Sequence, residues 1–251
     1  VYIDAIEGLY LYRPVADAVS VAISWMSGLN TTSTDDTHKI IVGTTTGVLK
    51  VFSSQWPSYV QTWDSYRYIP LYKPGTTETR RRFSMGNDIW AISTASPVVW
   101  GYSPRFMVVG TYPKVAFIEV NSTTLEASSV WDTGNVLAKW TMAVDLVDID
   151  GDGAKEVVVG SFDNNIYVFD HVYRNTYRRA WRSPNLKHNQ TFWDHATDVI
   201  VGDYDSDGKI ELVASTDNQT YPIIHVFENT SGNQFTASEA IELPKDSGPV
   251  T

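Results

Sequence analysis

One spelling recurs along the chain and constrains the fold more than any other feature. "KIIVGTTTGVLKVF" (39–52) aligns without a gap on "EVVVGSFDNNIYVF" (156–169): a β-rich run, a glycine, four turn-like residues, then a second β-rich run ending in Val-Phe. Two looser copies are "FMVVGTYPKVAFIEV" (106–120) and "ELVASTDNQTYPIIHVFE" (211–228), the latter with Ser215 at the glycine position. Marker residues Gly43, Gly110, Gly160 and Ser215 follow one another at 67, 50 and 55 residues. A period of that size accommodates one four-stranded sheet per copy.

The flanks of each copy complete the unit. Upstream lie "AVSVAIS" (18–24), "DIWAIST" (88–94), "TMAVDLVDI" (141–149) and "TDVIVGD" (197–203). Downstream lie "YVQTW" (59–63), "SSVW" (128–131) and "RRAW" (178–181), each ending in Trp. A first strand, a loop, a hairpin and an outer strand are the parts of a β-propeller blade. Long stripes of 3.6-residue period with caps are missing, so the expected class is all-β.

The expected organisation is a single propeller domain or segment over 1–251, built of four-stranded antiparallel sheets. Blades are placed at about 17–63, 88–131, 140–182 and 195–243, with a partial blade at 1–14 and the start of a further strand at 247–251. Either the two ends share one blade and close a ring of about five, or the chain is a segment of a larger propeller; the shortness of the final strand favours the segment. Residues 64–87 read as an insertion loop on one face of the disc, carrying a basic cluster at Arg80, Arg81 and Arg82. The aromatic-rich stretch 56–72 suits either packing between blades or contact with a glycan or protein.

Composition narrows the function classes. The 19 Lys and Arg stand against 29 Asp and Glu, a formal charge of −10 that repels nucleic acid and anionic membranes and suits a cation binder. With no cysteine, disulfides and thiolate chemistry are excluded. Sequons at Asn30, Asn121, Asn189, Asn218 and Asn229 point to an exported glycoprotein, extracellular or at the cell surface. No stretch reaches the roughly 18 apolar residues of a membrane span, and the chain begins at Val1, which reads as a mature or trimmed piece.

The acids are not scattered. Asp148, Asp150, Asp152 and Glu156 spell D-x-D-x-D-G-x-x-E, and Asp203, Asp205, Asp207 and Glu211 repeat it 55 residues later. So many carboxylates in one short loop repel one another unless a cation lies between them. Calcium takes six to eight oxygens at about 2.3–2.6 Å, and a tight loop aims alternate side chains at one centre. Gly153 and Gly208 permit a turn that brings the carbonyls of Ala154 and Lys209 toward the ion, and the ninth-position Glu closes the shell. An EF-hand is excluded, because its bidentate Glu at position 12 is replaced by Val159 or Ala214 inside a β-run. Magnesium, which demands octahedral geometry and retains water, fits less well.

"DIDGDGAKEVVVGSFDNNIYVF" and "DYDSDGKIELVAS" resemble the FG-GAP or VCBS type of repeat, the calcium-binding blades of integrin α-subunit propellers and of many bacterial and archaeal surface proteins. That resemblance implies a structural ion in the loop between the first two strands of a blade, hence two Ca2+ sites on the residues just named. The blade at 17–63 has Thr31, Ser33, Asp35 and Lys39 at the corresponding places, so neither it nor the blade at 88–131 is expected to bind calcium.

The expected role is a calcium-stabilised structural or adhesive module at the cell surface, with a protein or glycan partner at a disc face. Its alternatives are a self-assembling surface-layer or filament subunit, and a propeller-type hydrolase, lyase or carbohydrate-binding protein. Catalysis finds little support in the residues. Gly-x-Ser-x-Gly is absent, and His38, His171, His188, His195 and His225 form no H-x-x-x-H pair.

Overall fold

The computed structural model describes residues 18–24, 39–55, 58–64, 88–94, 106–120, 127–137, 139–173, 176–186, 195–217 and 222–244. The expected partial strands at 1–14 and 247–251, and residues 65–87 of the expected insertion, lie outside them. The described residues form four sheets, each a four-stranded antiparallel meander. The first contains β1 (Ala18–Ser24), β2 (Lys39–Thr44), β3 (Leu49–Gln55) and β4 (Ser58–Asp64). Next come β5 (Ala91–Thr94), β6 (Phe106–Gly110), β7 (Val115–Val120) and β8 (Ala127–Asp132). The third sheet holds β9 (Thr141–Val147), β10 (Glu156–Ser161), β11 (Asn165–Tyr173) and β12 (Thr176–Arg182). The fourth holds β13 (His195–Gly202), β14 (Glu211–Asp217), β15 (Ile223–Ser231) and β16 (Gln234–Glu242). Their first strands lie side by side in chain order, β1 against β5, β5 against β9 and β9 against β13. The architecture is that of a β-propeller segment, with each sheet a blade.

Continuous apolar runs, rather than alternation, characterise the second and third strands because both faces of a blade are covered. On β10 the period of two divides neighbours between two cores: Val157 and Val159 pack with Val108, Phe117 and Phe169 toward the second blade, while Val158 packs with Val199, Leu212 and Phe227 toward the fourth. The first and second blades meet in the same way around Ile41, Leu49, Met107 and Ile118. Each fully buried Val or Ile contributes roughly 1.5–3 kcal/mol of transfer free energy, so successive interfaces hold the blades together.

The repeat's marker glycine is a place of close approach. In register it faces the first strand of its own blade, as Gly43 with Ser20, Gly110 with Ala91, Gly160 with Ala143 and Ser215 with Asp198. A Cβ added at Gly110 would lie 2.4 Å from Thr141 Cγ2, on the first strand of the following blade. One residue on, the chain binds that next blade directly: Ile89 N donates to Thr44 O (3.1 Å) and Thr141 N to Thr111 O (3.3 Å).

Outer-strand tryptophans lock successive blades. Trp131 meets Phe169 and Tyr177 of the third blade with ring centroids 5.7 and 5.0 Å away. Trp181 meets Phe227 and Phe235 of the fourth at 5.4 and 5.2 Å, and its Nε1 donates to Phe235 O (3.0 Å). Two of the histidines belong to the same packing, His171 edge-on to Tyr177 and His225 stacked on Phe227. His38 and His188 lie outside the described residues, as do Arg80–Arg82 and four of the five sequons. The fifth sequon residue, Asn229, is only 7% exposed and donates through Nδ2 to Gly232 O (2.8 Å), so its amide is engaged in holding a turn.

Candidate metal centre

The β9–β10 and β13–β14 connections share one backbone design. Ile149 N donates to Glu156 Oε2 (2.6 Å), and Tyr204 N to Glu211 Oε2 (2.7 Å). Asp152 N and Asp207 N donate to Asp150 Oδ1 and Asp205 Oδ1, at 3.2 and 3.0 Å. Gly153 N and Gly208 N reach Asp148 Oδ2 and Asp203 Oδ2, at 3.0 and 3.1 Å. Ala154 N and Lys209 N reach Asp152 Oδ1 and Asp207 Oδ1, at 2.7 and 2.8 Å. Aspartates make such local bonds readily, which is how a chain this acidic folds back on itself.

Two left-handed residues per loop make the turn. Gly153 and Gly208 both have φ of 87°, where a side chain would be strained. Gly151 has φ of 76°, and its counterpart Ser206 adopts 64° without being glycine.

Within each loop, ligand-type oxygens converge. One carboxylate oxygen each from Asp148, Asp150 and Glu156 lie within 4.8 Å of one another, and the same holds for Asp203, Asp205, Asp207 and Glu211. Oxygens on opposite sides of a calcium ion stand about 4.6–5.2 Å apart, so this spacing matches a common coordination sphere. Asp152 is outside the first group, while its counterpart Asp207 is inside the second. Ala154 and Lys209, assigned from the sequence as carbonyl donors, sit at the start of the return to β10 and β14.

The ninth-position glutamates carry the chemical argument. Each opens an inner strand, with Glu156 at 0% exposure and Glu211 at 1%. In both, Oε2 holds the loop's N–H, whereas Oε1 is buried without a hydrogen-bond partner among the described residues. An unpartnered buried carboxylate oxygen is costly unless a charge compensates it. Burial, together with the charges of Asp150, Asp152 and Asp148, pushes the Glu156 carboxyl up to about 7. Burial likewise raises Asp150. The all-oxygen donor set and the two free Oε1 atoms fit a hard divalent cation.

The loops differ at the seventh position, Ala154 in the first and Lys209 in the second, and in what reaches the third, Asp150 or Asp205. In the second, Lys209 Nζ bonds Asp207 Oδ2 (2.9 Å), and this bond holds the Asp207 carboxyl below its ordinary value. In the first, Asn233 Nδ2 from the β15–β16 turn of the next blade donates to Asp150 Oδ2 (3.1 Å) and Asp170 Oδ1 (3.3 Å). Sequence reasoning passes over Asn233, which is 83 residues from Asp150 and has no motif around it.

The opposite ends of the same strands bear a different surface. Trp140, just before β9, is 39% exposed and lies 5.2 Å from Tyr112 and 5.5 Å from Phe162, which occupy the β6–β7 and β10–β11 turns. Trp90, just before β5, is also exposed.

Comparison with known proteins bears on the repeat and on the fold. Residues 148–214, which contain both acidic loops, match the sequence model of the FG-GAP-like repeat. No curated protein matches the chain in sequence. Among solved structures, the crystal structure of the Saccharomyces cerevisiae Sqt1 is similar, with a TM-score of 0.53 over 81% of this chain at 10% identity. This chain covers 47% of that one, and likeness at such low identity concerns the fold alone.

Proposed function

We propose that this propeller segment with its FG-GAP-like repeat is a calcium-stabilised structural or adhesive module, working outside the cell and presenting one disc face to a protein or glycan. The observation that carries the calcium reading is the pair of buried glutamates, each with one oxygen holding its loop and the other free. Asp148, Asp150 and Glu156 would hold one ion, and Asp203, Asp205, Asp207 and Glu211 the other, each set completed by main-chain carbonyls or water. Bound calcium neutralises the clustered carboxylates and stabilises the fold by about 2.7 kcal/mol per site at a hundredfold excess over Kd.

The extracellular setting is supported by the sequons and by an acid-rich composition suited to millimolar calcium. Among the described residues no helix is long and apolar enough to cross a membrane. Recognition is supported by the exposed Trp90, Tyr112 and Trp140, which lie at the strand ends opposite the metal loops. Aromatics with polar tips suit contact with either class of partner.

Calorimetric titration of chelator-treated protein with Ca2+ tests the reading. Two binding events, one lost in Asp150→Ala and the other in Asp205→Ala, support it. Absence of heat and an unchanged melting temperature would reduce both loops to solvated turns.

A further inference from the structure

We propose that Asn233 makes the first calcium loop an inter-blade device: by positioning Asp150 from the fourth blade, it couples cation binding at 148–156 to docking of that blade on the third. This inference rests on the calcium reading above and concerns a residue outside the acidic motif.

The β15–β16 turn is preorganised. Ser231 pairs with Gln234, Gly232 takes φ of 53° between them, and Asn229 Nδ2 bonds Gly232 O from inside the hairpin. Three consecutive residues of this hairpin then grip the third blade. Asn233 donates to Asp150 and Asp170, Gln234 Nε2 donates to Ala180 O (3.0 Å), and Phe235 O accepts from Trp181.

Asn233 differs from the other two in what it touches. Asp150 Oδ1 already accepts from Asp152 N, so the amide on Oδ2 fixes the carboxylate from outside its own loop. Asn233 is 8% exposed, and its Oδ1 has no partner among the described residues. A buried amide with a free oxygen beside two carboxylates suits a site that a cation joins, since the oxygen is itself a calcium-type donor. In the second loop, Asp205 hydrogen-bonds Asp207 N and no other group among the described residues. The two loops, alike in spelling, are therefore unequal in what supports them.

Coupling of this kind is reciprocal: the factor by which Asn233 strengthens calcium binding is the factor by which calcium strengthens the Asn233 contact. Asn233 is a positioning residue, and its loss should reach the first site alone. A hydrogen bond to a charged group accounts for roughly a tenfold change in affinity.

The test is Ca2+ titration of the full chain after chelation, comparing wild type, Asn233→Ala and Gln234→Ala with both sites intact, and repeating each in an Asp205→Ala background to isolate the first site. Asn233→Ala is expected to weaken that site about tenfold and leave the second at its wild-type constant. Gln234→Ala is expected to lower the melting temperature of the chelated protein with both calcium constants unchanged. Hydrogen exchange supplies a readout that simple structural support would not move: calcium slows exchange over residues 231–235 in wild type but not in Asn233→Ala. If Asn233→Ala does not fold, Asn233→Ser carries the same comparison, its hydroxyl being too short to reach Asp150. Two wild-type constants in the Asn233 variant would overturn the inference while leaving the calcium reading intact. No calcium uptake by wild type would overturn both.

Discussion

Glu156→Gln separates the cost of the acidic loop from its use. In the metal-free fold Glu156 is pushed from 4.5 to about 7 by burial and by three neighbouring aspartates, so the native state holds a proton that the unfolded chain has released. Its contribution is favourable below about pH 4.5 and is lost as pH rises through about 7. Between about pH 5 and pH 8 the penalty grows by about 2.5 kcal/mol, at 1.36 kcal/mol per unit. The glutamine variant keeps an oxygen for Ile149 N, and its amide finds acceptors among Asp148 and Asp150, yet it carries no charge. In chelator, wild type should therefore lose roughly 5–10 °C more melting temperature than Glu156→Gln over that pH range. With millimolar calcium at about pH 8 the order should invert, because wild type alone gains the ion's full stabilisation at this loop. Scanning calorimetry of both proteins at two pH values, with and without calcium, provides all eight measurements. Parallel pH profiles in chelator would refute the reasoning, since they would mean that the buried carboxylate carries no penalty for a cation to relieve.

Other expectations address the scaffold and the second loop. Gly110→Ala should cost about 1–3 kcal/mol, because its Cβ meets Thr141 at 2.4 and 2.8 Å, whereas Gly160→Ala, facing Ala143 Cβ at 3.4 Å, should cost less; denaturant midpoints compare them. Lys209→Ala should raise calcium affinity at the second loop about two- to fivefold by removing the ammonium that occupies Asp207, with no effect on the first loop in the same titration. Val158→Ala, between the third and fourth blades, should lower stability by about 1–3 kcal/mol without changing either calcium constant.

The blades are legible in the sequence because their periodicity is local. Four residues, a glycine and a hairpin lie within one short stretch, and the glycine survives where the next blade approaches, as Gly110 does beneath Thr141. The acid loops are legible for the same reason, since the main-chain N–H groups that shape them reach carboxylates no more than seven residues away, from Ile149 to Glu156 and from Tyr204 to Glu211. Two features are not legible. Asp152 carries the same letter as Asp207 and accepts the same seventh-residue N–H, yet stands outside the first oxygen cluster. Asn233 joins the loop across a blade interface, and tertiary contacts over 83 residues leave no spacing to recognise.

The most direct test of the account is a crystal structure of the chain grown with calcium, with anomalous scattering used to locate the ions. The account predicts two peaks, one bonded by Glu156 Oε1 and the other by Glu211 Oε1, each at about 2.3–2.6 Å. Both loops ordered as described but without a peak, or calcium bound only elsewhere, would contradict it.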